Sequence, residues 1–239
     1  MTAGHIHPWF TLHPLNDCGQ LNKSERLQRE KSLLAVALDC YAANQWESVT
    51  IASIAKRAGV AKGTVYLHFS GKDEIFALLT LQFYDGLLKQ SKKSTVGTGR
   101  TQLRELIKSI FQYHHNEQKY RHIVQYCQRD YFKQNIDTEL SASLDQSEAH
   151  LRKLIAACLK KGEDDGSLQK STPGTDAAIY YTLCGALHQL WCETAQKHEI
   201  PMEFIRVTTD YILSGVGERG SKTTVAAAIR SPLELNLES

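Results

Sequence analysis

Twenty residues, Thr50 to Phe69 (TIASIAKRAGVAKGTVYLHF), constrain this chain more than any other stretch, because they read directly as helix, glycine turn and helix. Ile51, Ile54, Ala55 and Ala58 fall at i, i+3, i+4 and i+7, one buried helical face, and Thr50 just ahead of them is an N-cap residue. Gly59 follows at once and suits the left-handed backbone position that ends a helix, after which Val60 points an apolar side chain back into the corner. Val65 and Phe69, one turn apart, bury the inner face of the second helix and leave Lys62, Gly63, Thr64, Tyr66 and His68 on its outer or N-terminal part. Lys62 can donate to guanine, Thr64 can bond a base or touch a thymine methyl, and Gly63 lets the backbone come close to a partner. Corners of this kind also occur for purely structural reasons, so the pattern alone leaves an ordinary corner and a DNA reader both open.

Charge is distributed in the sense a DNA reader requires. The net charge of the 239 residues is only +2, but residues 20–72 hold eight Lys and Arg (Lys23, Arg26, Arg29, Lys31, Lys56, Arg57, Lys62, Lys72) against four acids, so the remainder sums to −2. A basic N-terminal quarter suits phosphate contacts confined to one end. A hydrophobic fraction of 42% supports a core of ordinary size. No run of about 18 apolar residues occurs, and the first twenty residues have neither a charged nor an apolar leader segment, so a cytoplasmic protein is expected. The six cysteines, Cys18, Cys40, Cys127, Cys158, Cys184 and Cys192, form no CxxC pair and read as reduced, mostly buried thiols.

Taken in order, residues 1–22 mix Pro, His, Gly and Asn without period and are expected to be a flexible arm, with His5, His7 and His13 solvated rather than metal-bound. A helix runs from Ser24 to about Asn44 on the stripe Leu27, Leu34, Leu38 and Tyr41, and Trp46 plugs the corner before Thr50. Ser70-Gly71-Lys72-Asp73 starts the next helix, with Ile75, Leu78, Leu79, Phe83 and Leu87 as its stripe. A polar break over Ser91–Gly99 marks the best domain boundary. Amphipathic helices then follow over about 100–117, 119–134 and 138–161, a loop over Gly162–Ser167, a long many-sided apolar helix from Thr172 to about Lys197, and a last one from Pro201 to about Gly215. Residues 217–239 read as a loose tail, and neither an internal repeat nor a strand is evident.

Leu33 to Leu79 as a whole resembles the DNA-binding domain of the tetracycline-repressor (TetR) family. The resemblance rests on Ala37 and Tyr41, on Thr50, Ile54 and Ala55, on Ala58-Gly59-Val60, Lys62-Gly63-Thr64, Tyr66 and Phe69, and on the ending F-x-x-K-x-x-[LI] made by Phe69, Lys72 and Ile75. The chain departs from the family at Ala61, where a capping Ser or Thr is usual, and at Asn44-Gln45-Trp46, where a Gly is usual. The resemblance implies an all-α protein: an arm over 1–22, a three-helix DNA-binding domain over 23–86 with its helix-turn-helix at about 49–68, a helical ligand-binding and dimerisation domain over 87–216, and a tail over 217–239. It further implies a homodimer through about 174–215 and a near-palindromic double-stranded DNA operator. Thr50, Tyr66 and Lys72 are expected on phosphates, Lys62, Gly63, Thr64 and Tyr66 near base edges, and His68 either on phosphate or packed. A small-molecule effector is expected among the middle helices. Candidate lining residues are Phe111, Tyr113, His114, Tyr126, Tyr180, Leu187, His188 and Trp191, each of which also reads as ordinary core. Repression relieved by a mostly hydrophobic ligand is the leading expectation.

A thiol- or metal-responsive regulator on the same fold is the alternative, with Cys127 or Cys192 as the reporter residue. His114, His115, His122 and Cys127, or His188 with Cys192, form no four-ligand set of convincing spacing, so no metal is expected, and the Asp/Glu/Gly loop at 162–167 lacks the ligand spacing of a calcium loop. No organic cofactor and no membrane association are expected. No nucleophile–base motif, Gly-rich phosphate loop or carboxylate pair argues for an enzyme.

Overall fold

A computed structural model describes residues 23–42, 46–91, 96–194 and 202–217. The arm, most of the tail and the expected corner plug Trp46 as a side chain lie outside the described residues. The helices are α1 (Lys23–Tyr41), α2 (Ile51–Ala58), α3 (Lys62–Tyr66), α4 (Lys72–Ser91), α5 (Gly99–Asn116), α6 (Arg121–Cys127), α7 (Asp130–Asn135), α8 (Thr138–Asp164), α9 (Thr175–Thr194) and α10 (Met202–Gly215), with 3-10 turns at Trp46–Ser48 and Gln118–Tyr120. No strand occurs among the described residues, as the periodicity predicts.

The chain forms two compact units, one from the described parts of Met1–Gln82 and Lys119–Ala142, the other from those of Phe83–Gln118 and Ser143–Ser239. In the first unit Leu33, Leu34, Ala37 and Tyr41 of α1 are buried with Ile54 and Ala55 of α2, Val65 of α3, Phe69, and Ile75, Phe76 and Leu79 of α4. An aromatic row extends this core: Tyr41 to Phe76 at 4.6 Å between ring centroids, Phe76 to Tyr126 at 5.4 Å, and Tyr126 to Phe132 at 5.2 Å. Through those rings α6 and α7 join the first unit, whereas the sequence places them in the expected ligand-binding domain. The helix expected over 119–134 is also two, because Arg129 takes an extended conformation (φ −75°, ψ 135°) between α6 and α7.

In the second unit Leu103, Ile107, Ile110 and Phe111 of α5 are buried, and α5 packs against both α9 and α10. The start of α5 meets the end of α8 at Gly99, where a Cβ would lie 2.0 Å from the Gly162 amide nitrogen, so α5 tolerates no side chain there; a Cβ on Gly162 would instead press on the Leu168 side chain at 2.5 Å. The stretch expected to be a loop from Gly162 is helical to Asp164, and the residues beyond it cap α5. The Gly99 N–H donates to Asp165 Oδ2 at 2.7 Å and the Arg100 N–H to Ser167 Oγ at 3.1 Å, satisfying two donors that a helix N-terminus leaves unpaired. Hydrogen bonds from Ser167 and the Gly99 amide hold the Asp165 carboxyl below the usual carboxylate range. The Arg100 guanidinium in turn donates to the carbonyls of Leu213 (3.3 Å) and Gly217 (3.5 Å) at the end of α10, where a cation suits the negative pole of the helix.

Candidate nucleic-acid interface

Local chemistry sets the helix-turn-helix. Thr50 is the N-cap of α2 in an extended conformation, its Oγ1 accepting from the Ser53 N–H at 3.1 Å while Ser53 Oγ accepts from the Thr50 N–H at 3.0 Å. Gly59 ends the helix at φ 68°, ψ 27°, the left-handed region that favours glycine, and the Val60 N–H returns to the Ala55 carbonyl at 3.0 Å. α3 begins without a side-chain cap, as Ala61 dictates; the Ala61 carbonyl still accepts the Thr64 N–H at 2.9 Å. Val65 and Phe69 seat α3 on the core.

The outward side of α3 carries Lys62 and Gly63, both exposed, then Tyr66, 49% exposed, with Thr64 half-buried beside them. The Lys62 ammonium stands 5.6 Å from the Tyr66 ring centroid, so a cation and an amphipathic ring project together. Gly63 has nothing within 4 Å of where a Cβ would be, and its φ lies outside the left-handed region. Neither packing nor backbone geometry among the described residues therefore calls for glycine at this position. Arg29, Lys31, Lys56 and Arg57 add exposed positive charge to the same unit.

Lys72, expected on a phosphate, and His68, expected either on phosphate or packed, both engage the protein itself. Lys72 donates to the Glu47 carbonyl at 3.1 Å and lies over the rings of Tyr41 (5.8 Å) and Phe76 (5.2 Å). Burial pushes its pKa down against the opposing pull of Asp73 and Glu47. His68, whose side chain is 5% exposed, turns inward: its Nδ1 lies 3.3 Å from Glu30 Oε1, the oxygen that also accepts from Arg26 Nε at 3.0 Å. A carboxylate only accepts, so Nδ1 carries the proton, and α1 is thereby tied to the end of α3. Sequence reading did not single out Leu67, the C-cap residue of α3, which is 74% exposed beside Tyr66.

The candidate ligand residues divide. Phe111, His114, Tyr180 and Leu187 are buried and Tyr113 half-buried in the second unit; His188 is exposed, the Trp191 side chain lies outside the described residues, and Tyr126 belongs to the first unit's aromatic row. His114 Nδ1–H donates to the Ile110 carbonyl at 2.8 Å and the ring meets Phe83 edge-on at 4.9 Å. Burial pushes His114 down to about 4, so its imidazole is neutral at physiological pH. The Tyr180 hydroxyl is raised by burial and by the neighbouring Tyr84, Cys184 and Glu148. Among the described residues no three His, Cys, Asp or Glu stand close enough to hold a metal ion, and no helix is long and apolar enough to cross a membrane.

Known proteins are similar to this chain in the same terms. The sequence model of the family "Bacterial regulatory proteins, tetR family" matches residues 33–79, which span α2, α3 and the packing parts of α1 and α4. The transcriptional activator FasR of Mycolicibacterium smegmatis is 29% identical over 103 residues, and the match spans 42% of this chain but less than half, 47%, of that protein. The fold is similar to that of the TetR-family regulator PfmR of Thermus thermophilus (TM-score 0.61, 17% identity, 75% of this chain and 94% of that one). It is similar also to that of the fatty acid degradation regulator FadR of Bacillus halodurans (TM-score 0.60, 21% identity, 80% and 97%). The matched segment, residues 33–79, thus carries the TetR-family DNA-binding helix-turn-helix, on an all-helical fold similar to that of solved TetR-family regulators.

Proposed function

We propose that this protein is a homodimeric repressor that holds a near-palindromic operator through α3 and releases it when a small, mostly hydrophobic ligand enters the helical C-terminal unit. The observation that carries the DNA half of the reading is the outward face of α3, where Lys62 and Tyr66 project beside a glycine that nothing among the described residues requires. A dimer would set two such helices about one DNA turn apart, in successive major grooves. Exposed apolar side chains on the last two helices support the dimer: Tyr181 on α9 is 66% exposed and Tyr211 on α10 is 73% exposed, surfaces that a second copy would cover. The largely apolar interior around Phe111, Tyr180 and Leu187 supports a hydrophobic effector. Such a ligand acts only through different affinities for the DNA-competent and DNA-incompetent states.

The thiol-responsive alternative draws no support from Cys127, a buried thiol pushed up to about 12, chiefly by burial, while the Cys192 side chain lies outside the described residues. Selection of genomic fragments on the purified protein, followed by footprinting and mass measurement of the complex, tests the proposal. A protected palindrome bound by two chains and vacated on adding a hydrophobic ligand supports it; a monomeric complex on an asymmetric site would sink it.

A further inference from the structure

Among the described residues of the DNA-reading unit three large apolar side chains are strongly exposed, Tyr66, Leu67 and Tyr131, and two of these are adjacent at the end of α3. The Leu67 N–H bonds to the Gly63 carbonyl at 3.1 Å and its backbone (φ −70°, ψ −19°) stays helical, so its side chain is carried on the lattice of the recognition helix. Helical spacing places Gly63, Tyr66 and Leu67 on one face, at i, i+3 and i+4. That face is open at Gly63, while the next two residues turn inward, His68 to Glu30 and Phe69 into the core. Leu67 therefore stands on the surface that α3 presents to its partner.

A leucine neither donates nor accepts a hydrogen bond, so it reads nothing on a phosphate or on the polar edge of a base. The apolar feature of the major groove is the C5-methyl of thymine. We propose that Leu67 is a specificity-determining residue that packs on one thymine methyl in each operator half-site, alongside the polar contacts of Lys62 and Thr64. This inference rests on the reading of α3 as the recognition helix.

Thymine-to-deoxyuridine scanning of the selected operator tests it, because each change removes one methyl and alters no hydrogen-bonding edge. Wild type and Leu67→Ala are compared, and since Leu67 is exposed its truncation leaves the fold intact, which circular dichroism checks. Burial of one methyl corresponds to about fourfold in affinity, hence about fifteenfold when both half-sites are changed. The expected result is one thymine per half-site whose methyl matters to wild type by that factor and not to Leu67→Ala, with all other positions behaving alike in the two proteins. Equal sensitivity of the two proteins at every position, or no sensitive position in wild type that already discriminates operator from scrambled DNA, overturns the assignment of Leu67. Failure of wild type to discriminate operator from scrambled DNA at all overturns the reading of α3, and the assignment with it.

Discussion

His114 makes the stability of the second unit depend on pH in a calculable way. Its ordinary pKa is 6.5, and burial lowers it to about 4 in the folded chain, with the bond to the Ile110 carbonyl pulling weakly the other way. Below pH 6.5 the unfolded chain takes up a proton at this site that the folded chain refuses, so the unfolded state gains and stability falls as the pH drops. Above pH 6.5 both states are neutral there and the effect vanishes. At 1.36 kcal/mol for each pH unit separating the two pKa values, the loss between pH 7.5 and pH 5 is about 2 kcal/mol, levelling off at about 3 kcal/mol below pH 4. His114→Phe keeps a ring of similar size against Phe83 and removes the titrating group. Urea midpoints of both proteins at pH 7.5 and pH 5, read by circular dichroism, should show wild type losing about 2 kcal/mol more than the variant over that interval. Parallel losses in the two proteins would refute the buried, neutral imidazole.

Gly63→Ala should separate folding from binding: with open space and no left-handed φ at that position, the alanine gains up to about 1 kcal/mol of helix stability and raises the melting temperature, yet operator affinity should fall. Unchanged affinity would show that nothing approaches α3 there. His68→Ala should weaken operator binding by loosening α3 from Glu30 while leaving the slope of log affinity against log salt unchanged, since no phosphate contact is lost; a slope reduced by about 1 would make His68 a phosphate ligand after all. Gly86→Ala would set a Cβ 2.0 Å from Tyr113 Oη and should destabilise by about 1–3 kcal/mol, with part of the loss recovered by Tyr113→Phe in the double variant. No recovery would mean that the two residues do not press on each other.

The helix-turn-helix was legible because everything that makes it is local. Thr50 caps a helix beginning one residue later, Gly59 ends it eight residues on, and Val65 with Phe69 reports the buried side of α3 by spacing alone. Ala61 likewise announced a missing cap, and the structure has none. What escaped is what couples residues far apart in sequence. No window of sequence carries the Asp165 and Ser167 caps on α5, the Arg100 clamp on α10, or the turn of His68 onto Glu30. The placement of α6 and α7 was not legible for the same reason, because an aromatic such as Tyr126 reads alike whether it faces a ligand or Phe76. Their separation at Arg129 involves neither Gly nor Pro, the usual marks of a break.

The claim that α3 reads operator DNA is tested most directly by titrating the selected operator and a scrambled duplex of the same length with wild type and Lys62→Ala, each at several salt concentrations. Wild type should prefer the operator by at least about a thousandfold with steep salt dependence. Lys62→Ala should lose most of that preference and keep the weak, salt-sensitive binding to both duplexes that the remaining surface cations supply. A Lys62→Ala protein that prefers its operator as strongly as wild type would contradict the account.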